Sequence, residues 1–113
     1  MSVSDAISAF VRDLGAKGLS DKIAVMCFSE FGRRVTENAS RGTDHGAAAP
    51  MFVVGGKVKG GIHGSYPSLT DLDDGDLKYT TDFRRVYATL LENWLNCKSC
   101  DVLHNTFETL PII

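Results

Sequence analysis

The run of six uncharged residues at positions 23–28, Ile-Ala-Val-Met-Cys-Phe, constrains the fold of this chain more than any other feature. A strand with one solvent-exposed face alternates apolar and polar side chains, whereas a strand covered on both faces is continuously apolar. The run therefore predicts a strand buried on both faces. Because such strands are typical of parallel sheets, the sequence predicts an α/β fold with a short, mostly parallel sheet.

A second apolar run, residues 51–54, predicts a second strand. Pro50 precedes it, which is tolerated at the start of a strand, and Gly55 and Gly56 follow it. The intervening residues 36–49 are polar, and we expect them to form a loop.

Two main amphipathic helices are predicted to flank this sheet. In residues 4–17 the apolar side chains recur at helical spacing, and Ser4 is a suitable N-cap. A longer apolar stripe begins after a cap near Thr81 and ends near Leu95. The stripes consist of Ile7, Phe10, Val11 and Leu14 in the first helix and of Phe83, Val86, Tyr87, Leu90, Leu91 and Trp94 in the second.

Two short strands do not make a sheet large enough to cover two helices. Further strands can come from two places in the chain: the segment before the second helix, where we expect a hairpin at residues 57–63, and the tail after residue 97. Alternatively, another chain completes the sheet. We therefore expect residues 1–113 to form a single domain that is the C-terminal fragment of a larger one. Such a fragment is expected to form a homo-oligomer through an exposed sheet edge or apolar surface.

Composition argues against several partners. The formal net charge is −2, whereas a protein that binds nucleic acid usually carries a basic balance or stripe. No apolar run approaches the roughly 18 residues that a membrane helix needs. The first residues are polar and acidic, so this chain is expected to carry no signal peptide. Three cysteines are too few for a disulfide framework.

Asp44 and His45 are the first candidates for a metal site, because they are adjacent in a glycine-flanked segment between the two predicted strands. Glu30 follows the first strand and is predicted to face the same crevice, since ligands bind at the carboxyl ends of strands in α/β sheets. These groups suit a divalent metal such as zinc, manganese or calcium. Alternatively, Asp44 shapes a turn and His45 is solvated. Glu30 can instead pair with Arg33 or Arg34.

The remaining candidates are weaker. His63 lies on a glycine-rich turn that can cradle an anion, but the spacing of a phosphate loop is missing. Cys97 and Cys100 form a C-x-x-C motif with His104 nearby, but a structural zinc site needs four ligands. A redox C-x-x-C normally opens a helix, whereas this one follows the predicted end of a helix.

Taken together, the motifs resemble the end of a bacterial family known as domain of unknown function 1501, which is placed in the alkaline phosphatase and sulfatase superfamily. The resemblance implies a partial alkaline-phosphatase-like domain, with Glu30, Asp44 and His45 as remnants of a metal site. It also implies relatives that are several times longer and often carry a twin-arginine export signal. The matching segments are Phe28-Ser29-Glu30-Phe31-Gly32-Arg33, Gly42-Thr43-Asp44-His45-Gly46, Gly55-Gly56 to Gly60-Gly61, Asp73-Asp74-Gly75-Asp76, and Thr80-Thr81-Asp82-Phe83-Arg84 to Trp94-Leu95.

One departure from the superfamily pattern weakens the expectation of catalysis. Phe31 stands where metal-dependent relatives have histidine, and the nucleophile of such relatives lies upstream of the matching segments. We therefore expect no catalytic residue here, and predict an uncharacterised, non-catalytic fragment.

Two alternatives stay open. One is a metal-dependent phosphoesterase or sulfatase-like hydrolase that takes groups from another chain. The other is a small metal- or redox-binding module that uses the C-x-x-C tail.

Overall fold

The computed structural model describes residues 2–113, and in this part of the chain helices combine with small two-stranded antiparallel sheets. No helix in these residues is both long and apolar enough to cross a lipid bilayer. The helices are α1 (Val3–Ala16), α2 (Phe83–Thr89) and α3 (Ser99–Leu103), with a π-helical turn at Leu90–Trp94 after α2. The strands are β1 (Val25–Cys27), β2 (Gly32–Glu37), β3 (Thr43–Gly46), β4 (Phe52–Val54), β5 (Leu72–Asp73) and β6 (Asp76–Leu77).

Helix α1 forms where its apolar spacing predicts it, but it is capped two residues earlier than expected. The Ser2 hydroxyl accepts a hydrogen bond from the Asp5 N–H, and the Asp5 carboxylate accepts one from the Ser2 N–H. This reciprocal capping box satisfies two backbone donors at the start of the helix. The backbone hydrogen bond from Ser2 also lowers the pKa of Asp5. On the apolar stripe Leu14 is buried, whereas Phe10 is 46% exposed.

Strands β1 to β4 form one long antiparallel hairpin that is interrupted in the middle. In its outer part β1 pairs with β4, with Val25 opposite Val54. In its inner part β2 pairs with β3, with Gly32 opposite Gly46. The chain therefore runs out along β1 and β2, turns, and returns along β3 and β4.

The predicted mostly parallel sheet is wrong, because all three sheets are antiparallel. The predicted loop at residues 36–49 is also wrong in part, since it contains the end of β2 and all of β3. The chain reverses in a short turn that Asn38 organises by accepting hydrogen bonds from the Ser40 and Gly42 N–H groups. A parallel partner would need a crossover of a dozen or more residues, and the residues between β1 and β4 are used to extend the hairpin instead.

A small hairpin, β5–β6, packs against β2. Asp74 and Gly75 join its strands with φ values of 47° and 86°, the positive values that a tight two-residue turn requires. Arg34 of β2 donates from Nε to Asp76 Oδ1 at 3.0 Å and so attaches this hairpin to the long one. The hairpin expected at residues 57–63 is not formed, and the chain has isolated turns there.

Helix α2 begins at the predicted place, but its N-cap is Asp82 rather than a threonine. The Asp82 carboxylate accepts from the backbone N–H of Arg84 and from its guanidinium, and these hydrogen bonds lower the pKa of Asp82. After α2, the Leu95 N–H bonds to the Leu90 carbonyl five residues back, which is the spacing of a π-helix.

The core lies between α2 and the tail of the chain. Thr89 is fully buried, and its hydroxyl donates to the Arg85 carbonyl at 2.7 Å while accepting from the Leu110 N–H at 2.8 Å. Val86 and Ile112 are buried in the same region. Because a buried polar group is stable only when it is hydrogen-bonded, Thr89 fixes the tail against the helix.

This core is small for the length of the chain. The exposed surface is 8168 Å², whereas a compact monomer of this mass exposes about 6,100 Å². The radius of gyration is 16.4 Å, compared with about 13 Å for a compact domain of this length. The fold therefore exposes more surface than a compact domain of this mass does.

Gly32→Ala is expected to destabilise the protein by about 1–3 kcal/mol or more, because overpacking costs that much where neighbours can yield. A Cβ at Gly32 lies 1.6 Å from the Ala48 carbonyl oxygen, which is backbone and can move only with the hairpin. Urea unfolding followed by circular dichroism measures the effect. Gly60→Ala is the matched control, because no atom lies within 4 Å of its Cβ position, and equal stability of the two variants would contradict the prediction.

Thr89→Val keeps the shape of the side chain but removes the hydroxyl, which leaves the partly buried Leu110 N–H without its acceptor. We expect a loss of about 1–3 kcal/mol in the free energy of unfolding. Thr109→Val is the control, because Thr109 makes no side-chain hydrogen bond within residues 2–113 and should change stability little. A Thr89→Val protein as stable as the control would show that the tail is held by other contacts.

Candidate functional site

The inner part of the long hairpin brings together an aromatic ring and an imidazole. The Phe31 and His45 rings stack with centroids 3.6 Å apart and planes 12° apart. The pairing of Gly32 with Gly46 next to them allows this approach, because a Cβ on Gly46 would lie 2.9 Å from the Arg33 carbonyl carbon. The two glycines thus set the spacing between the strands at the point where the rings meet.

Arg33 completes this cluster from the strand position opposite His45. Its guanidinium carbon lies 5.2 Å from the Phe31 ring centroid, within the range of a cation–π contact. Nη1 of Arg33 also donates to the Thr43 carbonyl at 2.7 Å. We call Phe31, Arg33 and His45 the Phe31 cluster. Within this cluster Phe31 supports the imidazole of His45 as a stacking partner.

Asp44 is engaged at the turn of the hairpin. Its Oδ1 accepts a hydrogen bond from Asn38 Nδ2 at 2.9 Å. Because side chains alternate along a strand, Asp44 and His45 of β3 point to opposite faces. The turn is shaped by the side chain of Asn38 rather than by that of Asp44. Asn38 lies two residues after the start of the predicted loop.

Glu30 is exposed, and within residues 2–113 its carboxylate makes no hydrogen bond or ion pair. It pairs with neither of its expected arginine partners: Arg33 bonds to the Thr43 carbonyl and Arg34 pairs with Asp76. In the described part of the chain, no three His, Cys, Asp or Glu side chains come together as a metal site. The residues present do not fit a complete metal centre, and Glu30, Asp44 and His45 stay predicted ligands that would need others from elsewhere.

His63 bonds within its own turn, where its Nε2 lies 2.9 Å from the Lys59 carbonyl oxygen. The Lys59 N–H in turn donates to the Ile112 carbonyl at 2.8 Å. This glycine-rich segment is therefore attached to the tail of the chain. His63 stays a weak candidate.

All three cysteines are free thiols. Cys97 precedes α3 and Cys100 lies in its first turn, so the C-x-x-C does open a helix, although one of only five residues. The two thiols have different acceptors: Cys97 Sγ lies 3.8 Å from the Lys98 carbonyl oxygen, and Cys100 Sγ lies 3.7 Å from Asp101 Oδ1. The geometry does not join them in one site.

Sequence reasoning missed an apolar groove between α1 and the outer part of the hairpin. It encloses about 120 Å³, and most of its lining is aliphatic or glycine. The apolar stripe of α1 and the apolar run at residues 23–28 can both be recognised in the sequence. That they face each other across a groove depends on how the chain folds back, which the sequence pattern does not show. The groove is lined by Val11, Leu14, Ser20, Ile23, Val25, Val54, Gly55 and Gly56.

The model of a family described as "Protein of unknown function (DUF1501)" matches residues 1–98. No curated protein and no solved structure matches the chain.

Metal-free protein is expected to bind zinc weakly, without a one-to-one endpoint, because a zinc centre needs at least three protein ligands. Competition with a coloured zinc chelator measures the affinity. His45→Ala should leave it unchanged, as should the control His63→Ala. Stoichiometric zinc that His45→Ala abolishes and His63→Ala retains would contradict this expectation and establish His45 as a ligand.

Proposed function

This chain belongs to the DUF1501 family, whose function is unknown, and on that premise we propose that it is a non-catalytic part of a larger α/β domain that works by docking to another polypeptide. The proposal joins two features of the described residues. Their apolar surface is incompletely covered, and their polar candidates are not arranged as an active site.

The exposed apolar surface is the observation that carries the proposal. The chain exposes 8168 Å² of polar and apolar surface together, an excess of about 2,000 Å² over a compact monomer of its mass, and twelve large apolar side chains are part of it. A stable interface takes about 800 Å² from each partner, and obligate interfaces take more. The excess is therefore large enough for docking. The large apolar side chains that stay exposed are Val3, Phe10, Phe28, Val35, Phe52, Ile62, Tyr66, Leu69, Tyr79, Phe83, Leu95 and Val102.

The groove between α1 and the hairpin is part of this surface. Leu14 closes it on the helix side, while Val25 and Val54 face each other across the two strands. Farther along the same elements, Phe10 is 46% exposed and Phe52 is 61% exposed. Burying such side chains contributes about 1.5–3 kcal/mol each, so a partner that covered both would gain substantially.

The polar groups support a non-catalytic role. A nucleophilic hydroxyl or thiol is normally activated by a base within hydrogen-bonding distance. Within residues 2–113, no serine, threonine or cysteine side chain hydrogen-bonds to a histidine ring. The hydrogen bond that a histidine ring does make in these residues joins His63 to a backbone carbonyl. His45 is stacked on Phe31 instead.

The purified chain is expected to self-associate at micromolar concentration and to enhance the fluorescence of a dye that binds apolar surface. Light scattering after size exclusion gives the mass, and Phe52→Ser should weaken association because it removes a 61% exposed ring beside the groove. Val102→Ser is the control, since Val102 is similarly exposed but lies on α3. The docking function would be refuted if the protein stays monomeric at all concentrations and does not enhance the fluorescence of the dye.

A further inference from the structure

We draw no further inference here: the strongest candidate, the apolar groove between α1 and the outer part of the long hairpin, belongs to the surface already proposed for docking, and nothing in the structure shows what covers it.

Discussion

The close antiparallel approach of Gly32 and Gly46 is the constraint on which the rest of this structure depends. A side chain at Gly32 would collide with the Ala48 carbonyl, so the two halves of the hairpin can meet only because glycine stands there. That approach stacks His45 on Phe31 and extends the pairing from β2–β3 to β1–β4. It also places β2 where Arg34 can hold the β5–β6 hairpin through Asp76. One backbone contact thus positions the candidate site, the groove and the small hairpin.

The second half of the molecule is organised by a polar contact rather than by a large apolar core. Thr89, fully buried between α2 and the tail, satisfies one donor and one acceptor at once. Around it the buried apolar side chains are few, and the surface is about a third larger than that of a compact monomer of this mass. We propose that a partner supplies the stability that small domains normally draw from apolar burial. This shortage, together with the scattered candidates for catalysis, leads to docking as the proposed function.

Prediction from sequence succeeded where the signal is local and failed where it depends on distant partners. The helical stripe that ends at Leu14 predicted α1, and the stripe from Phe83 predicted α2 together with the π-helical turn that follows it, to within a residue or two. The pairing of β2 with β3 was missed because both faces of this ribbon are largely exposed, so its side chains carry no alternating apolar pattern. The candidate site was predicted in part: Phe31 and His45 lie together, but Glu30 and Asp44 do not join them as a metal centre.

By itself the sequence determined the two main helices, the two apolar strands and the residues of the DUF1501 motifs, because capping, periodicity and apolar runs act over a few neighbouring residues. Only the tertiary structure decided that β1 and β4 run antiparallel, that Phe31 supports His45, and that β1 lies at an open edge. The physical reason is that backbone groups of a strand bond to residues far away in the chain, and many pairings satisfy the same local pattern. The choice among them rests on close contacts such as that of Gly32 with Gly46, which no local pattern contains.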